Sequence, residues 1–203
     1  VERGVTVVPP PSSVRCLRDR VIARCLLRTA GFAVPPATFG RADWLRKHVA
    51  SRPVTLPGIV KPRHQHGVPL GRVSSIAELQ KVLTTFDPQA ELIVEREVRG
   101  QHLTVYMIED KVYAFKRVPF GNDMTETPAP PIPLTLRQHL RRLQRREGLI
   151  FGKLDLVCDR RRSYVVDIGV FPSFAHIPHA ADLIADSVRN AAMRNPSQRT
   201  GTI

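Results

Sequence analysis

The sequence predicts a mixed α+β fold whose second half consists mainly of antiparallel strands. In the first half, apolar residues recur at helical spacing in separate segments. From Leu92 onward they form short β-branched runs separated by polar turns. With 203 residues, of which 42% are hydrophobic, the chain is long enough to bury a substantial core as one domain or as two small subdomains.

Composition narrows the classes of partner. A net charge of +13 favours anionic partners such as nucleotides, phosphorylated metabolites, acidic peptides or nucleic acid. Aromatic residues make up only 6% and do not interleave with the basic ones, which argues against a nucleic-acid stacking platform. The three cysteines have no Cys-x-x-Cys spacing, so we expect no disulfide framework, no zinc site and a reducing, cytoplasmic compartment. The apolar runs are too short for a transmembrane helix, so no membrane partner is expected.

The first half of the chain predicts three helices. One follows the triple proline at 9–11, is capped by Ser12 or Ser13, and ends at Gly31. An extended edge segment is predicted at 33–39, and a short helix marked by Trp44, Leu45 and Val49 follows it. A strand is predicted at 56–62 and a polar loop at 63–71. The third helix begins at a cap formed by Ser74 or Ser75, with Glu78 completing a capping box, and runs to Phe86.

Strand-like periodicity dominates the second half. Strands are predicted at 92–95, 103–108, 112–115, 154–157 and 164–168. A proline-rich loop is predicted at 119–133, a helix from about Thr135 to Glu147, and a final amphipathic helix at 180–193 with Leu183, Ile184 and Val188 on one side. The arginine-rich face of the helix at 135–147 is interpreted as a solvated surface.

Two acidic residues stand inside the last two strands, which form a predicted hairpin. Asp155 and Asp167 interrupt otherwise apolar runs, where an ionised carboxylate is costly unless a cation or a hydrogen-bond partner compensates it. One interpretation is a divalent metal bound by hard oxygen ligands. The other is a pair of structural ion pairs with nearby arginines, and on these residues alone the two interpretations stand equal.

Five blocks, taken together and in order, resemble the ATP-grasp superfamily, and most closely its RimK-type ligases and inositol-trisphosphate-kinase-like relatives. The blocks are Arg18-Asp19-Arg20 followed by LLRTAGFAVP, IVKP at 59–62, IVEREVRGQHLTV at 93–105, VYAFKR at 112–117, and GKLDLV with VVDIGVFPSF at 152–174. The resemblance implies two α+β subdomains with a nucleotide cleft between them.

The resemblance also implies a division of the chain. Residues 1–50 would be a leader, linker helix and edge segment, 51–105 a subdomain with the phosphate loop, 106–195 a subdomain with the metal-binding hairpin, and 196–203 a frayed tail. Because the chain begins at Val1 without methionine, we expect a fragment or a processed form. It stays open whether an N-terminal substrate-binding domain, usual in full-length relatives, belongs to it.

The resemblance assigns roles in ATP binding. Lys61 would hold the α- and β-phosphates, and Arg20 stands where the family usually has another phosphate-binding lysine. Glu95 would accept a hydrogen bond from the adenine amine, although a salt bridge at the core edge is the alternative. The backbone of Arg96 and Val98 would contact the adenine edge, and His102 stands where many relatives have a ribose-binding glutamate, although a lone histidine is often structural.

The resemblance further implies that Lys116, Arg117 and Lys153 are cleft cations that stabilise charge on the transferring phosphate and on substrate, with Lys153 and Arg117 in the catalytic role. Asp155 and Asp167 would be ligands of magnesium, with manganese as an alternative. The expected third ligand is an asparagine two residues after the second acid, and this sequence has Gly169 there.

The implied activity is that of an ATP-dependent carboxylate–amine ligase that forms an acylphosphate on an anionic small molecule or acidic peptide. Three alternatives stay open. One is a kinase of a phosphorylated polyol, another is a protein that binds nucleotide but turns it over poorly because of Gly169, and the third is charge-driven binding of nucleic acid.

Overall fold

A computed structural model of the protein describes residues 7–51, 54–64, 71–118, 126–159 and 162–194. Six helices and nine strands lie in these ranges. The helices are α1 Pro11–Arg18, α2 Arg20–Ala30, α3 Ala42–His48, α4 Ile76–Leu83, α5 Leu134–Glu147 and α6 Ala180–Arg194. The strands are β1 Ala37–Arg41, β2 Gly58–Pro62, β3 Gly71–Val73, β4 Glu91–Arg96, β5 Gln101–Ile108, β6 Lys111–Arg117, β7 Thr127–Pro128, β8 Phe151–Cys158 and β9 Ser163–Gly169.

The strands form two antiparallel sheets. A four-stranded sheet has the order β1-β4-β2-β3, and a five-stranded sheet has the order β7-β6-β5-β8-β9. Each sheet has its own core: α3 and α4 cover one face of the smaller sheet, and α1, α2 and α5 cover one face of the larger sheet. A third cluster, around Tyr106, Ile108 and Phe151, packs the other face of the larger sheet against the start of α6. This architecture confirms the predicted α+β class.

The sheets divide the chain differently from the predicted units. β1 and α3, which we placed in the leader, belong to the smaller sheet and its core, since β1 pairs along its whole length with β4. The predicted boundary after residue 105 falls inside β5, whose residues pair with β8 from Gln101 to Ile108. The chain passes from the last strand of the smaller sheet, β4, to the larger sheet through the short segment 97–100.

The first predicted helix is in fact two helices. The chain is extended at Asp19 (φ −87°, ψ 109°), which ends α1 and caps α2 by accepting from the amides of Val21 and Ile22. Pro11 opens α1, so Ser12 and Ser13 do not cap it. Gly31 adopts a left-handed conformation and ends α2 as predicted.

Other boundaries differ slightly from the prediction. α4 is capped by Ser75 as expected but ends at Leu83 rather than Phe86. On α6, Val188 is 40% exposed, and Ser187 takes the buried position in its place. Most of the predicted loop at 63–71, part of the loop at 119–133 and the tail at 196–203 lie outside the described residues. Among the described helices, none combines the length and apolarity needed to cross a membrane.

Candidate active site

A narrow crevice separates the smaller sheet from α2 and β9. Alternation along the strands turns Ile59 and Lys61 of β2, together with Ile93 and Glu95 of β4, toward this crevice, while the intervening residues enter the core under α3 and α4. The polar part of its lining consists of Arg20, Arg24, Lys61, Glu95 and Asp167. The crevice therefore concentrates charge between two apolar cores.

Lys61 is buried in the crevice rather than exposed at the surface. It is 6% exposed, and its Nζ donates to Glu95 Oε1 at 2.7 Å and to the carbonyl of Val166 at 2.9 Å. Burial of an ammonium is costly unless it is paired and hydrogen-bonded, and these two acceptors supply both. Because Val166 belongs to β9, this side chain also links the two sheets.

Glu95 is held by two cations. The carboxylate is 3% exposed, and its second oxygen accepts from Arg24 Nη1, while Arg24 Nη2 donates to the carbonyl of Pro35. The salt-bridge alternative for Glu95 is therefore what the structure contains. Burial lowers the pKa of the Arg24 guanidinium, and the Glu95 carboxylate counteracts that shift.

The sequence analysis missed Arg24 as a site residue. Arg20 and Arg24 are four residues apart, a spacing that puts both side chains on one face of α2. That spacing is the feature of the sequence from which Arg24 could have been predicted as a neighbour of Arg20.

Arg20 lies at the N-terminus of α2 and connects three parts of the site. Its Nη1 donates to the carbonyl of Pro62 at 2.6 Å, and its Nε lies 3.6 Å from Asp167 Oδ1. Next to it, Asp19 accepts from Arg63 Nε at 3.0 Å and Nη2 at 2.6 Å. Burial raises the pKa of Asp19, but hydrogen bonds from Arg63 and from the backbone outweigh burial and hold it below its ordinary value.

A β-bulge brings the two acids of the hairpin together. The pairing of β8 with β9 is regular from the hairpin turn as far as the pair Leu156–Val165. The next pair is Asp155–Asp167, so Val166 has no partner on β8 and is an extra residue on β9. Without it, Asp155 would face Val166 and Asp167 would lie on the opposite face of the sheet. The bulge therefore places both carboxylates on the same face of the sheet.

Cations surround this acidic pair. Lys153 Nζ lies 3.4 Å from Asp155 Oδ2, and Arg117 Nη1 lies 3.8 Å from Asp155 Oδ1. Thr104, fully buried on β5, donates to the same Oδ1 at 3.1 Å. With Arg20 beside Asp167, three cations face two carboxylates. The local excess of positive charge suits an anionic ligand.

The register of β6 separates two residues that the sequence analysis treated together. Arg117 pairs with His102 and shares the face of the acidic pair. Lys116 pairs with Leu103 on the opposite face and is exposed. Successive residues of a strand point to opposite faces, so the expectation that Lys116 faces the cleft with Arg117 is wrong.

Three further predicted residues surround these groups. His102 is half-buried, and burial, followed by the charge of Arg117, lowers its pKa, which favours the neutral imidazole. Arg96 ends β4, donates its backbone N–H to the carbonyl of Pro36, and lies over the ring of Tyr164 at 5.5 Å. Val98 lies half-buried in the segment that joins β4 to β5.

Tyr106 and Glu126 form a polar pair near Asp155 that the sequence analysis did not identify. Tyr106 lies opposite Lys153 in the β5–β8 ladder, and its hydroxyl donates to Glu126 Oε1 at 3.2 Å. Burial raises the pKa of Tyr106 well above its ordinary value, and the Glu126 carboxylate raises it further. Glu126 lies within the proline-rich loop, where no periodic pattern marks it.

The donor set was tested against the metal implied by the sequence resemblance. Carboxylate oxygens are the ligands that magnesium prefers, and Asp155 and Asp167 supply them from adjacent strands. Among the described residues, no cluster of three or more His, Cys, Asp or Glu side chains is placed to hold a metal ion. The two carboxylates would fit a magnesium ion that takes its other ligands from water or from a bound phosphate.

Comparison with known proteins identifies the fold. No protein-family model matches the sequence, and no curated protein matches it. Among solved structures, D-alanine–D-alanine ligase from Bacillus anthracis matches with a TM-score of 0.66, at 18% identity, over 90% of this chain and 69% of the ligase. The protein therefore has the ATP-grasp fold, which confirms the predicted fold.

Two further ligases show the same likeness. PsnB, an ATP-grasp ligase solved with its minimal precursor, matches with a TM-score of 0.67, at 18% identity, over 94% of this chain and 64% of PsnB. The macrocyclase MdnC from Microcystis aeruginosa, bound to the precursor peptide MdnA, matches with a TM-score of 0.68, at 16% identity, over 89% of this chain and 63% of MdnC. The chain thus spans about two thirds of the length of these proteins. Solved complexes include the Bacillus anthracis ligase with ATP and PsnB with Mg and ADP.

Proposed function

We propose that the chain is the nucleotide-binding core of an ATP-dependent carboxylate–amine ligase of the RimK type. The observation that carries this proposal is the crevice between the sheets, where buried Lys61, Glu95 and Arg20 lie beside the Asp155–Asp167 pair. The ligases that share the fold support the reaction class.

ATP binds in this crevice. Each oxygen of the Glu95 carboxylate already accepts from one cation, and a carboxylate has about four lone-pair sites. It therefore retains the capacity to accept from the adenine amine while Lys61 and Arg24 stay in place. The Arg96 and Val98 backbone contacts the adenine edge, and neutral His102 hydrogen-bonds a ribose hydroxyl.

Arg20 and Lys61 bind the phosphates. Both guanidinium and ammonium groups are strong phosphate ligands, and both lie where the crevice reaches Asp167. Asp155 and Asp167 hold magnesium or manganese, which neutralises charge on the triphosphate.

The substrate carboxylate attacks the γ-phosphorus, and ADP leaves as the acylphosphate forms. An amine then attacks the acyl carbon, and inorganic phosphate leaves. Lys153 and Arg117, which flank Asp155, stabilise the charge that develops on the transferring phosphoryl group and on the acyl oxygen. The positive surroundings favour an anionic small molecule or an acidic peptide as the carboxylate substrate.

The proposal is tested by magnesium-dependent ADP release from ATP in the presence of pools of acidic amino acids and peptides, with products identified by mass spectrometry. An amide product is expected, whereas a phosphoester would identify a kinase. Lys61→Met and Asp155→Asn should each lower turnover by more than about tenfold, since each removes charge at the phosphates. Lys116→Met is the matched control and should leave turnover unchanged, because Lys116 lies on the other face of the sheet. Equal loss in this control would contradict the assignment.

A second candidate function is nucleotide binding with little turnover. Gly169 in place of the expected asparagine favours it, because glycine supplies no side-chain ligand to a metal at Asp155 and Asp167. Binding of a non-hydrolysable ATP analogue without ADP release in any substrate pool would support this candidate over the ligase.

A further inference from the structure

Lys153 covers Gly169 on the face that carries the acidic pair. The two residues pair directly across β8 and β9. A Cβ atom placed on Gly169 would lie 3.1 Å from Lys153 Cγ and 3.3 Å from Lys153 Cε, closer than ordinary side-chain contacts allow. A side chain at position 169 would therefore require the aliphatic part of Lys153 to move by a few tenths of an ångström.

The path of Lys153 across Gly169 determines where its ammonium lies. Nζ lies 3.4 Å from Asp155 Oδ2, and the side chain is 26% exposed. The other oxygen of Asp155 faces Thr104 and Arg117, and Asp167 faces Arg20. Each carboxylate of the pair thus already has at least one protein cation beside it.

We propose that Gly169 and Lys153 form one functional unit, in which the glycine makes room for a lysine whose ammonium replaces one metal ion at the nucleotide site. This inference rests on the proposed function and specifies its metal requirement. A fully ionised triphosphate and the carboxylates of Asp155, Asp167 and Glu95 are balanced by one divalent ion together with the protein cations of the site, which are Arg20, Arg24, Lys61, Arg117 and Lys153. A second divalent ion would leave an uncompensated excess of positive charge. The site therefore takes one divalent ion with the nucleotide.

An asparagine at position 169 would not by itself complete the metal site. Gly169→Asn alone does not create a metal ligand, because the new Cβ meets the Lys153 side chain and the new amide competes with an ammonium for the same carboxylate. Shortening Lys153 to alanine removes both obstacles, because neither the aliphatic chain nor the ammonium then remains. Substitutions at the two positions are therefore expected to be coupled rather than additive.

Metal stoichiometry tests this coupling on the whole chain. Mn²⁺ is titrated by electron paramagnetic resonance, with saturating non-hydrolysable ATP analogue, into the unsubstituted protein, Lys153→Ala, Gly169→Asn and the double variant. We expect one Mn²⁺ per chain in the unsubstituted protein and in Gly169→Asn, and a second Mn²⁺ in the double variant. Lys116→Met, a lysine on the opposite face, should not differ from the unsubstituted protein. Two Mn²⁺ in the unsubstituted protein, or a second one in Gly169→Asn alone, would overturn the proposal.

A second measurement needs no nucleotide. Gly169→Ala should lower the melting temperature by about 2–4 °C when Lys153 is present and by clearly less in a Lys153→Ala background, since the three atoms nearest to the added methyl all belong to Lys153. Equal losses in both backgrounds would overturn the proposal even if the analogue binds. Absence of analogue binding in every variant would instead reject the proposed function, and the melting comparison would still decide the coupling.

Discussion

At the scale of single residues, the site depends on buried charges that compensate one another. Lys61, Glu95 and Arg24 form a chain in which one carboxylate accepts from two cations. Removing one partner of a buried ion pair is costly, because the remaining charge loses its compensation in a medium that solvates it poorly. The same groups that would bind nucleotide therefore also contribute to folding.

Lys61→Met should lower the free energy of unfolding by about 2 kcal/mol, as expected when a buried hydrogen bond to a charged group is lost. Arg24 still compensates Glu95, which limits the loss. Urea denaturation measures this change, and adding Glu95→Gln to Lys61→Met should lower stability further, because the buried Arg24 then loses its carboxylate partner. Lys116→Met is the control and should change stability by less than about 0.5 kcal/mol. A loss in Lys61→Met no larger than that in the control would contradict a stabilising role of the ion pair with Glu95.

His102 predicts a pH dependence of stability. Its pKa in the folded protein lies below the ordinary value of 6.5, first because of burial and then because of Arg117. Between these two pKa values the unfolded state binds more protons, so stability falls as the pH drops through 6.5 toward the folded-state pKa. From pH 8 to pH 5, a range in which histidine titrates, the free energy of unfolding should decline less in His102→Gln than in the unsubstituted protein. An unchanged profile in this variant would assign the decline to other groups.

Sequence patterns indicated several residues that line the crevice or form the acidic pair, but not the contacts between them. Strand periodicity and motif order indicated Lys61, Glu95, Asp155 and Asp167, and each lies at the crevice or on the acidic pair. The pairing of Glu95 with Arg24 depends on tertiary packing between α2 and β4, which no local pattern encodes. The misplacement of Lys116 was avoidable, because strand alternation alone puts it opposite Arg117.

At the scale of elements, Asp19 determines how the chain enters the site. It ends α1, caps α2 and binds Arg63 after β2, so it fixes Arg20 beside Pro62. Sequence periodicity ran through this position and predicted one helix. An aspartate within a helical pattern is also an N-cap signal, but the apolar spacing continues across it and conceals the break.

Asp19→Ala should lower the free energy of unfolding by about 2 kcal/mol, since it removes both an N-cap and an ion pair with Arg63. Chemical denaturation gives the value. Asp186→Ala on α6 removes an exposed pair with Arg189 and should cost less than about 0.5 kcal/mol. A similar cost in both variants would mean that the cap contributes nothing specific.

The bulge at Val166 is the element that sequence analysis could not predict. The hairpin itself was confirmed, and its strands were found a few residues longer than predicted. A regular hairpin would place the two aspartates on opposite faces, so a shared metal requires the extra residue. No residue type in this valine-rich strand marks a bulge, because it is set by the whole ladder and its neighbours.

At the scale of the whole molecule, the two sheets meet through polar contacts around the crevice. Lys61 bonds to Val166, and Arg20 faces Asp167, so both reach from the smaller sheet and α2 to β9. The α+β class and the order of the elements were predictable from the period of the apolar residues. The division into sheets was not, because β5 could be assigned to its partners only from long-range pairing.

Nucleotide binding should make this junction more rigid. Hydrogen exchange followed by mass spectrometry is expected to slow in 59–62, 92–96 and 164–169 when a non-hydrolysable ATP analogue and magnesium are added, because the ligand bridges the two sheets. The outer helix α5 serves as the internal control, since its core contacts lie on the far face of the larger sheet. Slowing in α5 alone would place the ligand elsewhere.

The bulge on β9 also bears on self-association. β9 is the last strand of its sheet, and the open backbone groups of such a strand can pair with another molecule. Here the amide of Val165 donates to Ala33, while the carbonyl of the bulged Val166 accepts from Lys61. A kinked strand with these groups already engaged offers no straight template for a second chain. The crevice lysine thus also occupies one of the backbone acceptors through which this edge strand could pair with another molecule.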